Sequence, residues 1–204
     1  MANYAITPES FSGNSSVQVS GEQVPNTGRA AKKKTVVFAG DGVSGTVKRS
    51  FMHAGKPEHI TINGGNKVSA SKSGGDVTIS GKSNCQLLKI EFVGDALEAT
   101  IAAQYTAAGK PTNNGEAIEG DPGNSAEYDF SVKITLPENT SVEDVLRTVK
   151  ISNGSTVSQQ VQIEQAEGDA FLTVEPEEEQ TMAWDGTPIT FTAKSNTTVT
   201  VTME

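Results

Sequence analysis

Few residues in this chain could do covalent or metal chemistry: two histidines, His53 and His59, and one cysteine, Cys85. A Ser-His-Asp or Cys-His site needs a base within hydrogen-bond reach of its nucleophile, and a zinc centre needs about four nitrogen or sulfur ligands. Neither requirement is met by three residues that the repeats described below divide between two modules. His53 adjoins Ala54-Gly55-Lys56-Pro57, which recurs as Ala108-Gly109-Lys110-Pro111 with Ala107 in the histidine's place. A structural role for His53 is therefore expected. Glu175, Glu177, Glu178 and Glu179 flank Pro176 without the Asp and Gly spacing of an EF-hand loop, so they read as a solvated acidic linker. Catalytic residues, metal ligands and cofactors are accordingly expected to be none, and the chain reads as a non-enzyme.

Binding chemistry has a little more to work with. Sugar faces stack on exposed aromatic rings, for which Trp184, Tyr4, Tyr105 and Tyr128 are the candidates. Tyr128 falls on the apolar side of an alternating run and Tyr105 aligns with Phe51, so both are expected in the core. Trp184 is left as a platform or as an interface anchor. Arg29, Lys32, Lys33 and Lys34 form the one basic cluster, suited to an acidic protein surface or to protecting a strand edge.

The elements that must carry these residues read as strands. In GGDVTISGKSNCQLLKIEF, residues 74–92, apolar and Ser or Thr residues alternate, Lys82-Ser83-Asn84 interrupts, and apolar residues resume at Leu87. The spacing predicts a β-hairpin. The pattern returns in GTPITFTAKSNTTVTVTME, residues 186–204, at an offset of 112 (196 − 84), and VQVSG at residues 17–21 matches VTISG at residues 77–81. Residues 37–57 also align without a gap on residues 91–111 at an offset of 54 (91 − 37). Self-similarity of this kind marks an array of like modules. The first module carries an excess around residues 24–34, read as a longer loop that holds the basic cluster.

Along the chain, Thr35 to Phe38, Thr46 to Phe51 and His59 to Ile62 read as strands of the first module, and Asn63-Gly64-Gly65-Asn66 as its boundary. Residues 112–125, rich in Asn, Gly, Asp and Pro, predict an exposed loop able to carry contacts, with Asp121-Pro122-Gly123-Asn124 as a turn. Tyr128, Phe130, Val132, Ile134 and Leu136 alternate with polar residues and predict one half-buried strand. Ser141-Val142-Glu143-Asp144 matches a capping box and predicts a helical turn. Asn153-Gly154 predicts a hairpin turn. The third unit opens at Phe171-Leu172-Thr173-Val174-Glu175-Pro176, an echo of Tyr4-Ala5-Ile6-Thr7-Pro8, and consists of a strand plus a hairpin. Such a unit buries little surface and exposes an edge that invites pairing.

Over 204 residues, hydrophobic content of 35% with 5% aromatics suits thin sandwiches filled by valine and isoleucine. The net charge of −9 argues against a nucleic-acid wrapper or an anionic-lipid binder, both of which need a basic footprint. A single cysteine excludes an intrachain disulfide, and Cys85 on a strand reads as a small buried hydrophobe. The first residues lack a basic start and an apolar run, so synthesis in the cytoplasm without export is expected. On that basis the Asn-x-Ser/Thr sequons at Asn14, Asn139, Asn153 and Asn196 are read as chance.

TVKISNGSTVSQQVQIEQAEG, residues 148–168, resembles the closing strands of a BACON-type module, an immunoglobulin-like β-sandwich of Bacteroidetes proteins and crAss-like phages. FLTVEP followed by GTPITFTAKSN resembles the opening of the next one. The family's usual tryptophan after Ser-Asn is replaced by Cys85-Gln86 or Thr197-Thr198. The reading is an all-β chain of tandem immunoglobulin-like β-sandwich modules: residues 1–65, a BACON-like module at 66–168, and an incomplete module at 169–204. The resemblance implies a structural protein of a bacteriophage virion, an auxiliary capsid or head-fibre protein, located in the virion. Its expected partners are other virion proteins in an oligomeric assembly, without nucleic acid or membrane. Arg29, Lys32, Lys33, Lys34, Phe171 and Trp184 are the expected interface residues. The alternative is a carbohydrate-binding or adhesion module that meets a host glycan.

Overall fold

The computed structural model describes residues 4–21, 24–94, 97–101 and 111–203. The described strands are β1 (Ala5–Thr7), β2 (Gln18–Ser20), β3 (Lys32–Ala39), β4 (Thr46–His53), β5 (Ile60–Ile62), β6 (Lys67–Ala70), β7 (Gly75–Ser83), β8 (Lys89–Val93), β9 (Ala99–Ile101), β10 (Tyr128–Leu136), β11 (Val145–Ser152), β12 (Ser158–Gln165), β13 (Leu172–Glu175) and β14 (Thr192–Ser195). Among the described residues a 3-10 turn spans Pro122–Asn124 and no α-helix occurs. The chain is all-β.

Its centre is a sandwich of two four-stranded sheets, ordered β5-β7-β10-β9 and β6-β12-β11-β8. Ladders are antiparallel except β6 on β12, which is parallel. This is the immunoglobulin-like arrangement: an A-B-E-D sheet faces a C-F-G sheet, with β6 added at the G edge. The period of two places Tyr128, Phe130, Val132, Ile134 and Leu136 on one face of β10, and all five are buried as the alternation predicts. Against them Val149 and Ile151 of β11 and Val161 and Ile163 of β12 are fully enclosed. Cys85 joins this core as a buried hydrophobe.

The pairing differs from several sequence expectations. Residues 74–92 are not a hairpin, because β7 pairs with β5 and β10 while β8 pairs with β11 in the opposite sheet. The polar break at Ser83-Asn84 is a buried crossing between layers, both side chains being fully enclosed. Residues 186–204 are likewise no hairpin: β14 pairs with β13, and residues 197–203 form no strand. Ile60 to Ile62 form β5 of the central sandwich, so Asn63-Gly64-Gly65-Asn66 is a turn inside it. Residues 141–144 form no helical turn. There the Ser141 hydroxyl accepts the Glu143 N–H at 3.2 Å in a local bend.

The flanking units are abbreviated versions of this sandwich, as their strand registers show. β13 pairs with β14 as Leu172↔Ser195, β5 with β7 as Ile60↔Ser83, and β1 with β2 as Ala5↔Ser20. Ser20 therefore takes the place of Ser83, three residues away from the match that sets Gly21 on Gly81. β3 and β4 pair from Lys32↔His53 to Ala39↔Thr46, and β11 and β12 from Val145↔Gln165 to Ser152↔Ser158, offsets of 113 (145 − 32) and 112 (165 − 53). The alignment at offset 54 does not survive, since β8 and β9 lie in different sheets; its portion at residues 102–110, with Tyr105, is outside the described residues. Among the described residues the first unit thus has counterparts of strands A, B, F and G, and the third of A and B.

Candidate docking surfaces and the junctions that hold them

The expected interface cluster at Arg29 to Lys34 divides in two. Lys32, Lys33 and Lys34 open strand β3 and are exposed, so this segment is ladder rather than loop; the Lys34 ammonium lies 5.5 Å from the centre of the Tyr4 ring. Arg29 turns the other way, into the central sandwich. Its guanidinium meets the Asp121 carboxylate, lies 3.6 Å from Glu58, and donates to the Asn84 carbonyl at 3.3 Å. The hydrogen bond that Arg29 donates to Asp121 holds the arginine above its ordinary value, against some loss of solvation.

Backbone completes this junction. The Arg29 N–H donates to the Gly123 carbonyl at 2.8 Å, and the Ala30 N–H to that of Asn124 at 3.4 Å. The approach is close enough to need glycine: a Cβ at Gly28 would lie 2.5 Å from the Asn124 carbonyl oxygen, and within the central sandwich one at Gly123 would lie 2.0 Å from that of Asn84. Residues 112–125 form the expected loop and are mostly exposed, but Ile118, Pro122 and Gly123 within it are buried, and the 3-10 turn is what Arg29 rests on. Lys56 pairs with Glu127, holding that carboxyl below its usual range.

Asparagines lock both junctions in one pattern. Asn84 donates to the Pro57 carbonyl at 3.0 Å and accepts the His59 N–H at 2.9 Å, while the Ser83 hydroxyl donates to the His59 carbonyl at 2.8 Å. At an offset of 112, Asn196 donates to Asp169 at 2.9 Å and accepts the Phe171 N–H at 3.0 Å, and Ser195 donates to Phe171 at 2.8 Å. Asn26 and Asn139 form a second matched pair: Asn26 donates to Ala30 and Ala54, Asn139 to Glu143 and Ala166. None of the four was singled out for a role in the sequence. Their signal was present in the Ser-Asn repeat, read there as a turn, and in the sequons at Asn139 and Asn196.

The remaining candidates lie in the third unit. Phe171 is about half exposed although its backbone is held by Ser195 and Asn196. Trp184 is 100% exposed, between β13 and β14. Around them Leu172, Val174 and Phe191 are open, as are Val37, Val47 and Met52 of the first unit. A shallow cleft lies between the two ladders of the first unit, lined by Tyr4, Ile6, Phe11, Val17, Val36 and Phe38.

The groups with chemical potential are engaged locally. His53 Nδ1 lies 2.7 Å from the Tyr4 hydroxyl, and His59 Nε2 lies 3.4 Å from Glu127. Burial pushes the Cys85 thiol up, while Tyr128 donates to the Cys85 carbonyl at 2.7 Å. No group of three potential metal ligands occurs among the described residues.

No family model and no curated protein matches the chain. Among solved structures, it is similar to a protein of Bacteroides thetaiotaomicron determined by NMR, at 13% identity and a TM-score of 0.29, over 55% of this chain and 89% of that one. It is also similar to zebrafish RET cadherin-like domains 1 to 4, at 12% identity and a TM-score of 0.34, covering 82% of this chain. In that alignment the chain spans 41% of the zebrafish chain's length. The assignment as an immunoglobulin-like sandwich rests on the strand order and register given above.

Proposed function

We propose that this chain is a non-enzymatic structural protein of a bacteriophage virion, an auxiliary capsid or head-fibre component that works by docking on neighbouring proteins. One observation carries the docking part: a sandwich with a buried core is flanked by two smaller units whose apolar faces and strand edges stay open among the described residues. Open edges of this kind are templates for strand addition, and open apolar faces supply affinity when buried. The hydrogen-bonded junctions set each flanking unit on the central one as a spacer with a defined direction. The virion assignment follows from the resemblance of residues 148–168 and 171–196 to BACON-type modules of crAss-like phages. Mass spectrometry of density-purified particles from the phage that encodes the chain tests it. Peptides that co-purify with the major capsid protein at constant ratio support the reading, and their absence from intact particles overturns it.

A second reading, a carbohydrate-binding or adhesion module, is favoured by one residue, the fully exposed Trp184. A glycan screen in which binding disappears with Trp184→Ala would put this reading first.

A further inference from the structure

The abbreviation of the first unit leaves one position open in a specific way. In the central sandwich β11 has two neighbours, β12 on one edge and β8 on the other, the latter from Thr148↔Val93 to Ser152↔Lys89. β3 is the counterpart of β11, but its described ladder has β4 alone. The positions that β8 would occupy face residues 35–39, where Val36 and Phe38 are half-buried on the inner side and Val37 is exposed on the outer.

The third unit offers the strand that is missing there. Residues 197–203 follow β14 as residues 85–91 follow β7, and they belong to no sheet. Val199, Val201 and Met203 alternate with threonine and are open, Val201 at 87% and Met203 at 98%. With one residue fewer after the Ser-Asn pair, they fall in the places of Leu88, Ile90 and Phe92, the inward side chains of β8 and the residues leading into it.

Charge points to the same pairing. Residues 1–57 hold seven Lys and Arg against three Asp and Glu, whereas residues 169–204 hold one against seven. The ends of the chain are therefore net +4 (7 − 3) and −6 (1 − 7). The two ends cannot serve each other within one molecule. The first unit is locked at the Ser83-Asn84 end of β7 and the third beside Lys72 and Thr140 at the other end, with the nine residues of β7, roughly 26 Å of strand, between them.

We propose that residues 197–203 of one copy add to the free edge of β3 in a second copy, taking the place that β8 holds beside β11. This deepens the docking reading by naming the partner as the chain itself. The contact is heterologous, first unit to third unit, so it propagates into a filament or closes into a ring. Lys32, Lys33 and Lys34 of one copy then face the acidic third unit of the next, which makes association faster and tighter at low salt.

The register gives a direct test. Lys150↔Glu91 in the central sandwich corresponds to Val37 opposite Thr202, both on the outer face, and opposed strand positions are within disulfide reach. Val37→Cys and Thr202→Cys chains are mixed under mild oxidation, with Thr187→Cys as the control partner; the native Cys85 is buried and takes no part. The expected result is a Val37→Cys/Thr202→Cys heterodimer about tenfold above the control mixture, falling by a similar factor at 1 M salt. A yield equal to the control overturns the proposal. So does cross-linking confined to single molecules of the doubly substituted chain. Light scattering supplies the second readout: the unmodified chain gains mass with concentration, and the chain with Val201→Lys and Met203→Lys stays monomeric and folded. Persistent association in that variant also overturns the proposal. A monomeric chain that is nonetheless found in virions would remove self-association alone and leave docking on other virion proteins standing.

Discussion

The central sandwich and the third unit begin with the same construction and end in opposite states. Both open with strand A paired to strand B at the same register, and both lock that pair with a Ser-Asn dipeptide bonded to the backbone ahead of strand A. Yet Ile60 is 3% exposed while its counterpart Leu172 is 51% exposed. The difference teaches that local ladder and lock are independent of burial. Burial needs β10, β11 and β12, which supply the opposite face of the core, and the third unit has no counterpart of them among its described residues.

If burial is what separates the two regions, truncating apolar side chains should divide them by the largest margin. Phe130→Ala, inside the core, is expected to cost about 3–5 kcal/mol in urea unfolding, mostly through the cavity it leaves. Val174→Ala in the third unit should change stability by no more than about 0.5 kcal/mol. Comparable losses at the two sites would mean that the third unit is packed in solution, which would end the comparison as drawn.

The matched asparagines sharpen it at the next level. Asn84 is fully enclosed, so Asn84→Ala leaves a space in the packing and takes the partner from part-buried backbone groups at Pro57 and His59, and should cost about 2–3 kcal/mol. Asn196 makes equivalent bonds in an exposed setting, where water replaces them. Asn196→Ala should cost about 1 kcal/mol or less by the same unfolding measurement.

The junctions come next. Gly28→Ala forces a methyl group to 2.5 Å from the Asn124 carbonyl oxygen and 2.8 Å from the Ser125 carbonyl carbon, and overpacking of this kind costs about 1–3 kcal/mol. The loss should appear as release of the first unit, read as faster proteolysis within residues 24–31 while the central core keeps its unfolding midpoint. Gly115→Ala has ample room, with the nearest atom at 3.8 Å, but sits at a φ of 77°, so its effect should be backbone strain without release.

Legibility in the sequence followed the same division. β10 was readable residue by residue, because alternation on a half-buried strand is a property of the strand alone. So was the all-β class, and the 112-residue repeat in the Ser-Asn pair. Pairing was not. A period of two at residues 74–92 says that two strands are present and says nothing of whether they pair with each other or cross between sheets. Lys82-Ser83-Asn84 looks the same as a surface turn, since an asparagine bonded to buried backbone and one bonded to water have identical letters. Residues 112–125 were legible as a largely exposed loop with a turn at Asp121-Pro122-Gly123-Asn124, but only the buried Asn84 carbonyl beside it reveals why position 123 must be glycine. Of the expected interface residues, Trp184 and Lys32 to Lys34 lie on open surface, whereas Arg29 finds its acids within the chain.

The smallest expected effect concerns pH and separates the first junction from the sandwich surface. Lys56 hydrogen-bonded to Glu127 holds that carboxyl below its usual range, as Lys89 and Lys150 do for Glu91 and Lys133 and Thr135 for Asp76. A carboxyl depressed in the folded state contributes stability that is fully present above its unfolded value, about 4.3 for Glu. That contribution is lost as pH falls through the folded value. Acidification below about pH 4 should therefore weaken the chain at all three places, modestly, because these groups are partly or wholly solvated. Glu127 alone sits between the first unit and the centre, where Lys56 and His59 both face it. In Glu127→Gln the acid-induced rise in proteolysis within residues 24–31 should flatten, while acid weakening of the central sandwich persists through Glu91 and Asp76. An unchanged acid profile at residues 24–31 would show that Arg29 with Asp121 and Glu58, rather than the Lys56 pair, holds the first unit in place.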